Sequence, residues 1–107
     1  MKSRVMYMEC KSGAATGQAR IGLVLFSKTG STLRYRDLEF ISLKGRGFKA
    51  NYLETGSGDE YWISGPRKDG QDRLYTSALP VEIDDEVRGE YWSHIRGLPE
   101  QKTRVRA

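Results

Sequence analysis

Six cationic side chains lie close together in the sequence, among glycines and aromatic residues. Proteins bind phosphates and other anions with cationic side chains and with the backbone amides of glycine-rich loops. Aromatic rings beside them can stack on nucleic-acid bases, as on small β-barrels that bind single strands. The sequence therefore predicts an anion- or nucleic-acid-binding surface formed by Lys44, Arg46, Lys49, Arg67, Lys68 and Arg73, with Tyr52, Trp62 and Tyr75 as stacking candidates.

These residues also have an ordinary structural interpretation, which is the commoner one. Lysines and arginines hydrate the exposed end of a small sheet, and aromatic side chains fill its core. Trp62 alternates with Tyr61 and Ile63, so it faces the opposite side of a strand from both neighbours. One of these faces must be buried, and Tyr91 and Trp92 of a C-terminal helix are the expected packing partners.

Residues for catalysis or metal binding are few. The lone Cys10 and the lone His94 form the only candidate Cys–His pair, and Glu60 with Asp72 is a candidate carboxylate pair. A cysteine that ends a strand and a histidine near a helix C-terminus more often have structural roles. No general base is evident, so we predict no catalytic residues. One histidine and one cysteine cannot build a zinc site, so we predict neither a metal nor a cofactor.

Composition indicates a small soluble domain. The chain of 107 residues is 37% apolar and 30% charged, and its 12 glycines against 3 prolines favour turns and short strands. One cysteine forms no internal disulfide, and no apolar run is long enough for a signal peptide or a membrane span. We therefore expect a cytoplasmic protein without membrane contact. The net charge of +4 divides into +5 for residues 1–80, −3 for 81–99 and +2 for 100–107.

Alternation and turn residues predict several short antiparallel strands followed by one helix. The clearest strand is Ile21–Ser27, and the turn after it ends at Gly30, which can adopt a positive φ. An acidic first turn, an apolar stripe and a terminal glycine predict a helix that begins at Asp84 or Asp85 and stops at Gly97.

The predicted fold class is α+β. We expect a small, strongly bent antiparallel sheet or open barrel of about six short strands, with one C-terminal helix packed on it. Residues 1–99 are expected to form this single domain. Residues 100–107 are predicted to be a basic, disordered tail.

Several runs of the sequence resemble a family of short bacterial proteins of unknown function. The runs are Tyr7–Gly13, Phe26–Gly30, Phe48–Tyr52, Tyr61–Gly65, Lys68–Tyr75 and Pro80–Asp84, and the resemblance covers most of residues 5–96. Members of that family are often labelled 1-deoxy-D-xylulose-5-phosphate synthase, a large thiamine-diphosphate enzyme. Its cofactor needs a Gly-Asp-Gly motif that this chain lacks, so the label does not fit these residues. The resemblance implies a compact bacterial domain and supplies no activity.

The sequence supports two functional hypotheses of different classes, and a small enzyme that uses Cys10 or the pair of Glu60 and Asp72 is a third, less favoured one. The first is a non-enzymatic binding module whose basic loops bind an acidic partner, with nucleic acid as the best single candidate and an acidic protein as the other. The second is a protein-interaction accessory of the immunity or adaptor type. It would dock through the acidic face of the C-terminal helix, formed by Glu82, Asp85, Glu86 and Glu90. The oligomeric state, any small-molecule ligand and the reactivity of Cys10 are not determined by the sequence.

Overall fold

Six consecutive strands pair with their neighbours in sequence, and the sixth pairs with the first, which closes a barrel. The computed structural model describes residues 2–47, 49–73 and 79–107. The strands are β1 (Lys2–Cys10), β2 (Ala19–Phe26), β3 (Thr32–Tyr35), β4 (Leu38–Ser42), β5 (Tyr52–Glu54), β6 (Glu60–Ser64) and β7 (Val81–Ile83). Pairings within the barrel are antiparallel, whereas β7 lies outside it and pairs in parallel with β2. The predicted small, bent antiparallel sheet is confirmed, in its barrel form.

Tight turns set the order of the strands. Gly30 has φ +76°, and its amide donates to Ser27 O at 3.0 Å, as the turn sequence predicts. At the next reversal Arg36 has φ +53°, which lets Arg36 and Asp37 alone connect β3 to β4. Such short connections place consecutive strands side by side, so alternate connections lie at the same end of the barrel.

Apolar side chains from alternate strand positions fill the barrel interior. From β1, Met6 and Met8 point inward, whereas Val5 and Tyr7 point outward. From Val5 to Cys10, β1 is therefore buried on both faces. The interior cluster consists of Met6, Met8, Val24, Leu33, Tyr35, Phe40 and Ile63.

A C-terminal helical segment (residues 85–95) covers the outer face of β1 and β2. It is a 3-10 turn (Asp85–Val87), an α-helical turn (Arg88–Glu90) and a π-helical turn (Tyr91–Ile95) in direct succession. Its side chains pack with outward residues of the sheet in a second cluster: Val5, Tyr7, Ala19, Ile21, Ile83, Val87, Tyr91 and Trp92. About three turns have little stability alone, so this apolar contact holds the segment in place. In the described ranges no helix is long and apolar enough to cross a bilayer.

The last residues, which the sequence predicts to be a basic, disordered tail (residues 100–107), pack back on the domain in the structure. A second 3-10 turn (Pro99–Gln101) reverses the chain after the helical segment. Ile83 N then donates to Val105 O at 2.8 Å, so the tail pairs with β7. The physical reason is the outer edge of β7, whose backbone amides and carbonyls need hydrogen-bond partners.

Candidate anion-binding site at one end of the barrel

Two connections and the start of β1 meet at one end of the barrel, which we call the basic end. It consists of the β2–β3 turn (residues 27–31), the β4–β5 loop (residues 43–51) and Lys2. The antiparallel order brings them together, because β2 and β4 end where β1, β3 and β5 begin. The Tyr52 hydroxyl donates to Gly30 O at 2.9 Å, which ties the start of β5 to the β2–β3 turn.

Every charged side chain at the basic end is a cation. Residues 27–36 and 40–53 contain no aspartate or glutamate. In the part of the chain that the structure describes, no carboxylate pairs with Lys28, Lys44 or Arg46. Like charges without counterions raise the local potential and attract anions. The exposed cations of the basic end are Lys2, Lys28, Lys44, Arg46 and Lys49.

A cavity of about 430 Å³ opens at the basic end, beside the two connections. Lys44 and Arg46 line it on one side, and three hydroxyl side chains, from Ser31, Thr32 and Ser42, complete its polar lining. Lysine, arginine and hydroxyl groups are the side-chain donors that bind phosphate oxygens. The cavity therefore has the chemistry of a phosphate site.

The first turn of the β4–β5 loop fixes the position of Lys44 and Arg46. Lys44 has φ +52° and Gly45 has φ +82°, and Arg46 N donates to Leu43 O at 3.0 Å, so these residues form one ordered turn. Lys44 N also donates to Ser42 Oγ at 3.1 Å. A positive φ at a non-glycine residue is strained and persists where surrounding contacts fix it, often at binding sites. The turn therefore presents Lys44 and Arg46 together.

Arg67 and Lys68, which the sequence places on the same surface, lie elsewhere. They belong to residues 65–73, which leave β6 and run along the outside of the barrel. Arg67 pairs with Asp69 at 3.0 Å, and Lys68 O accepts a hydrogen bond from the Arg96 guanidinium at 3.1 Å. Both side chains are exposed, but the structure places them beside the helical segment rather than at the basic end.

Arg73 belongs to a buried ion cluster at the opposite end of the barrel. Its guanidinium donates to Gly17 O in the β1–β2 loop and lies 3.7 Å from the Glu9 carboxylate. Glu9 is 1% exposed, accepts a hydrogen bond from the Tyr7 hydroxyl at 2.6 Å and pairs with the Lys11 ammonium. Burial and the adjacent carboxylate raise the pKa of Tyr7, which keeps its hydroxyl neutral. Arg73 therefore anchors its own loop to the barrel.

The three stacking candidates have different surroundings. Tyr52 is half-buried at the border of the basic end, and burial raises the pKa of its hydroxyl. Trp62 packs against the cluster beneath the helical segment. Tyr75 lies outside the described residues. Of the two described candidates, Tyr52 is the one beside the cations.

The candidate catalytic residues have separate surroundings. Cys10 is buried, and its thiol donates to Ser12 O at 3.0 Å, whereas His94 is exposed on the helical segment. Asp72 is buried, and its desolvation raises the pKa of the carboxyl. Its Oδ2 has no hydrogen-bond partner among the described residues. These residues also include no group of three or more His, Cys, Asp or Glu side chains that could hold a metal ion.

The predicted acidic docking face is partly neutralised within the chain. Glu82 pairs with Arg106 at 3.0 Å, and Asp85 pairs with an arginine three residues further on at 2.5 Å. The remaining two carboxylates, Glu86 and Glu90, are exposed. The face therefore offers fewer uncompensated charges than the basic end.

Lys2 and Lys28 belong to the cationic surface but were not among the residues predicted for it from the sequence. Lys28 lies in the hairpin turn that the sequence predicts, and the strand order of a meander places that turn beside the β4–β5 loop. That signal was available in the sequence. Lys2 was harder to place, because its position depends on the pairing of β1 with the distal end of β2.

No family model, no curated protein and no solved structure matches the chain. The resemblance to a family of short bacterial proteins therefore stays a prediction.

Proposed function

We propose that this protein is a non-enzymatic binding module whose basic end binds an acidic partner, and that the partner is nucleic acid. The observation that supports this proposal is the composition of the basic end, which holds five exposed cations and no acidic residue. The β4–β5 turn orders two of these cations beside the hydroxyls of the 430 Å³ cavity. A polymer with regularly spaced phosphates matches such a surface, because several cations can be neutralised at once.

Phosphate contacts are expected to dominate the affinity. Cations outnumber exposed aromatic rings at this surface, and the hydroxyl of Tyr52 is occupied by Gly30 O. Contacts to phosphate position a nucleic acid but do not read its sequence. Binding is therefore expected to tolerate sequence changes. If four cations contact phosphates, the logarithm of the affinity should fall with the logarithm of salt concentration with a slope of about −3.

Fluorescence anisotropy with a labelled single-stranded RNA, a labelled single-stranded DNA and a labelled duplex tests the proposal over a series of salt concentrations. The double variant Lys44→Glu/Arg46→Glu reverses two charges at the basic end and is expected to abolish binding at physiological salt. The matched control, Arg67→Glu/Lys68→Glu, makes the same change of net charge beside the helical segment. We expect this control to keep most of the affinity, because its residues lie outside the basic end.

Two results would contradict the proposal. The first is the absence of binding of all three nucleic acids at low salt. The second is an equal loss of affinity in both double variants, because it would show that only net charge matters. A pull-down with and without nuclease adds an independent check: a protein partner that survives nuclease and is lost on charge reversal at Glu86 and Glu90 would favour the adaptor hypothesis instead.

A further inference from the structure

A second cavity, of about 390 Å³, opens at the end of the barrel opposite the basic end, and we call it the barrel mouth. Met8, Leu38 and Phe40 form its apolar wall. Leu79, which is 46% exposed, lies at its rim. Pockets of about 300–1,000 Å³ with apolar walls and a few polar groups are typical of small-molecule sites. The proposed binding of nucleic acid does not involve this cavity.

Among the described residues, the barrel mouth has a small number of polar groups, from half-buried Tyr61 to exposed Gln18. Tyr61 lies at the wall beside the Cys10 thiol, and burial raises the pKa of Tyr61 to about 12. Its hydroxyl is therefore neutral at physiological pH and can donate a hydrogen bond. Gln18 adds an amide to the lining. A small number of placed polar groups in an apolar cavity gives a ligand one orientation.

The charged side chains of the lining, together with their direct ion-pair partners, leave one positive charge in excess. Arg20 lines the cavity and pairs with the buried Asp84 carboxylate at 2.5 Å, but Arg36 pairs with the same oxygen at 3.2 Å. Glu82, the acidic residue of the lining, has its own partner in Arg106 at 3.0 Å. Two guanidiniums therefore share one carboxylate. The Arg20 side chain is 42% exposed, so its remaining N–H groups are accessible to a ligand.

We propose that the barrel mouth binds a small amphipathic molecule that carries one carboxylate. The apolar part of the ligand lies against Met8, Leu38 and Phe40, and its carboxylate accepts hydrogen bonds from Arg20. Arginine suits this group, because the planar guanidinium can donate two parallel hydrogen bonds to a carboxylate. A neutral molecule of the same length gains no charge-assisted hydrogen bond and is expected to bind more weakly.

Octanoate is a suitable probe, and 1-octanol is its matched neutral control. Met8 lines the cavity, whereas Met6 lies in the barrel interior outside the lining, so the methyl NMR signals of the two methionines report on the site and on the core separately. We expect octanoate to shift the Met8 signal in a saturable way with little change at Met6. It should bind about tenfold more tightly than 1-octanol, as a charge-assisted hydrogen bond predicts.

Two variants sharpen the test. Arg20→Gln removes the proposed carboxylate partner while Asp84 keeps its pair with Arg36, and it should lower the affinity for octanoate to that for 1-octanol. Arg34→Gln is the control, because Arg34 pairs with Glu39 and does not line the cavity. Leu38→Trp fills the cavity and should abolish binding of both probes.

Three outcomes would overturn the proposal. One is the absence of a saturable Met8 shift with octanoate. Another is equal affinity of octanoate and 1-octanol for the wild-type protein. The third is octanoate binding that Arg20→Gln leaves unchanged. None of these outcomes bears on the basic end, so this proposal and the proposed binding of nucleic acid can fail independently.

Discussion

Two arginines share one buried carboxylate, and this sharing predicts a non-additive effect on stability. Asp84 is 2% exposed, and its Oδ1 lies 2.5 Å from Arg20 and 3.2 Å from Arg36. The Tyr35 hydroxyl donates to Oδ2. The arginine side chains are 42% and 58% exposed, so each is partly solvated and its loss leaves the other in place.

The magnitudes follow from this geometry. Arg20→Gln and Arg36→Gln are each expected to lower the free energy of unfolding by at most about 1 kcal/mol, as for exposed ion pairs. The double variant leaves the Asp84 carboxylate buried without a cation, and breaking a buried pair in this way costs about 3–5 kcal/mol. The coupling energy between the two positions is therefore at least about 1–3 kcal/mol, above the error of additivity between independent sites.

Urea unfolding of the wild-type protein, both single variants and the double variant at pH 7 measures this coupling. Tryptophan fluorescence is a suitable signal, because Trp92 is buried in the apolar cluster between the helical segment and the sheet. Arg34→Gln is the matched control: its side chain is 57% exposed, its partner Glu39 is itself accessible, and its loss should cost little. An additive double variant would refute the argument that Asp84 needs only one of the two arginines.

Four further predictions concern stability. Gly22→Ala should lower the free energy of unfolding by about 1–3 kcal/mol in urea titrations, because its Cβ would lie 2.5 Å from an oxygen of the Asp84 carboxylate and 2.6 Å from a carbon of the Tyr35 ring. Gly89→Ala, at a helical position with open space, should instead raise the free energy of unfolding by about 0.5–1 kcal/mol. Burial raises the pKa of Asp72 above its ordinary value of 3.8, so the folded state binds this proton more tightly and loses stability as pH rises above that value. Asp72→Asn should therefore stabilise the protein at pH 7 and give no gain at pH 3 in urea titrations. Deletion of residues 104–107 removes the carbonyl that accepts from Trp92 Nε1 at 3.0 Å and should lower the urea midpoint, whereas an unchanged midpoint would contradict the packed tail.

Local signals in the sequence predicted much of the barrel. The turn at Gly30 was predictable because a positive φ there costs glycine little, and β2 was predictable from its alternating apolar residues. Closure was not predictable in the same way. It depends on the pairing of β1 with β6, for example Cys10 with Tyr61, and pairing between residues so distant in sequence leaves no local pattern. The pairing of the last residues with β7 is equally non-local.

The cationic surface shows where charge patterning is informative and where it is not. Lys44, Arg46 and Lys49 share one connection, so their neighbourhood follows from the sequence. The path of residues 65–73 does not, because it is set by the contacts of Arg73 with a carboxylate of β1 and with the β1–β2 loop. Spacing in the sequence therefore grouped six cations that the structure divides between the basic end, the surface beside the helical segment and a buried cluster.

Burial of the acidic partners, rather than the number of cations, distinguishes the two ends of the barrel. At the end opposite the basic end, buried Glu9 and Asp84 pair with lysine and arginine side chains that hold loops and strands together. Those cations have structural roles. A ligand that drew them away would leave a buried carboxylate without its ion-pair partner, which is costly. At the basic end no acidic residue is present in the two connections, so a phosphate can approach Lys28, Lys44 or Arg46 without breaking an ion pair of the described chain. This difference in cost is the reason to expect a polyanion at the basic end and a single carboxylate, bound by the one excess charge, at the barrel mouth.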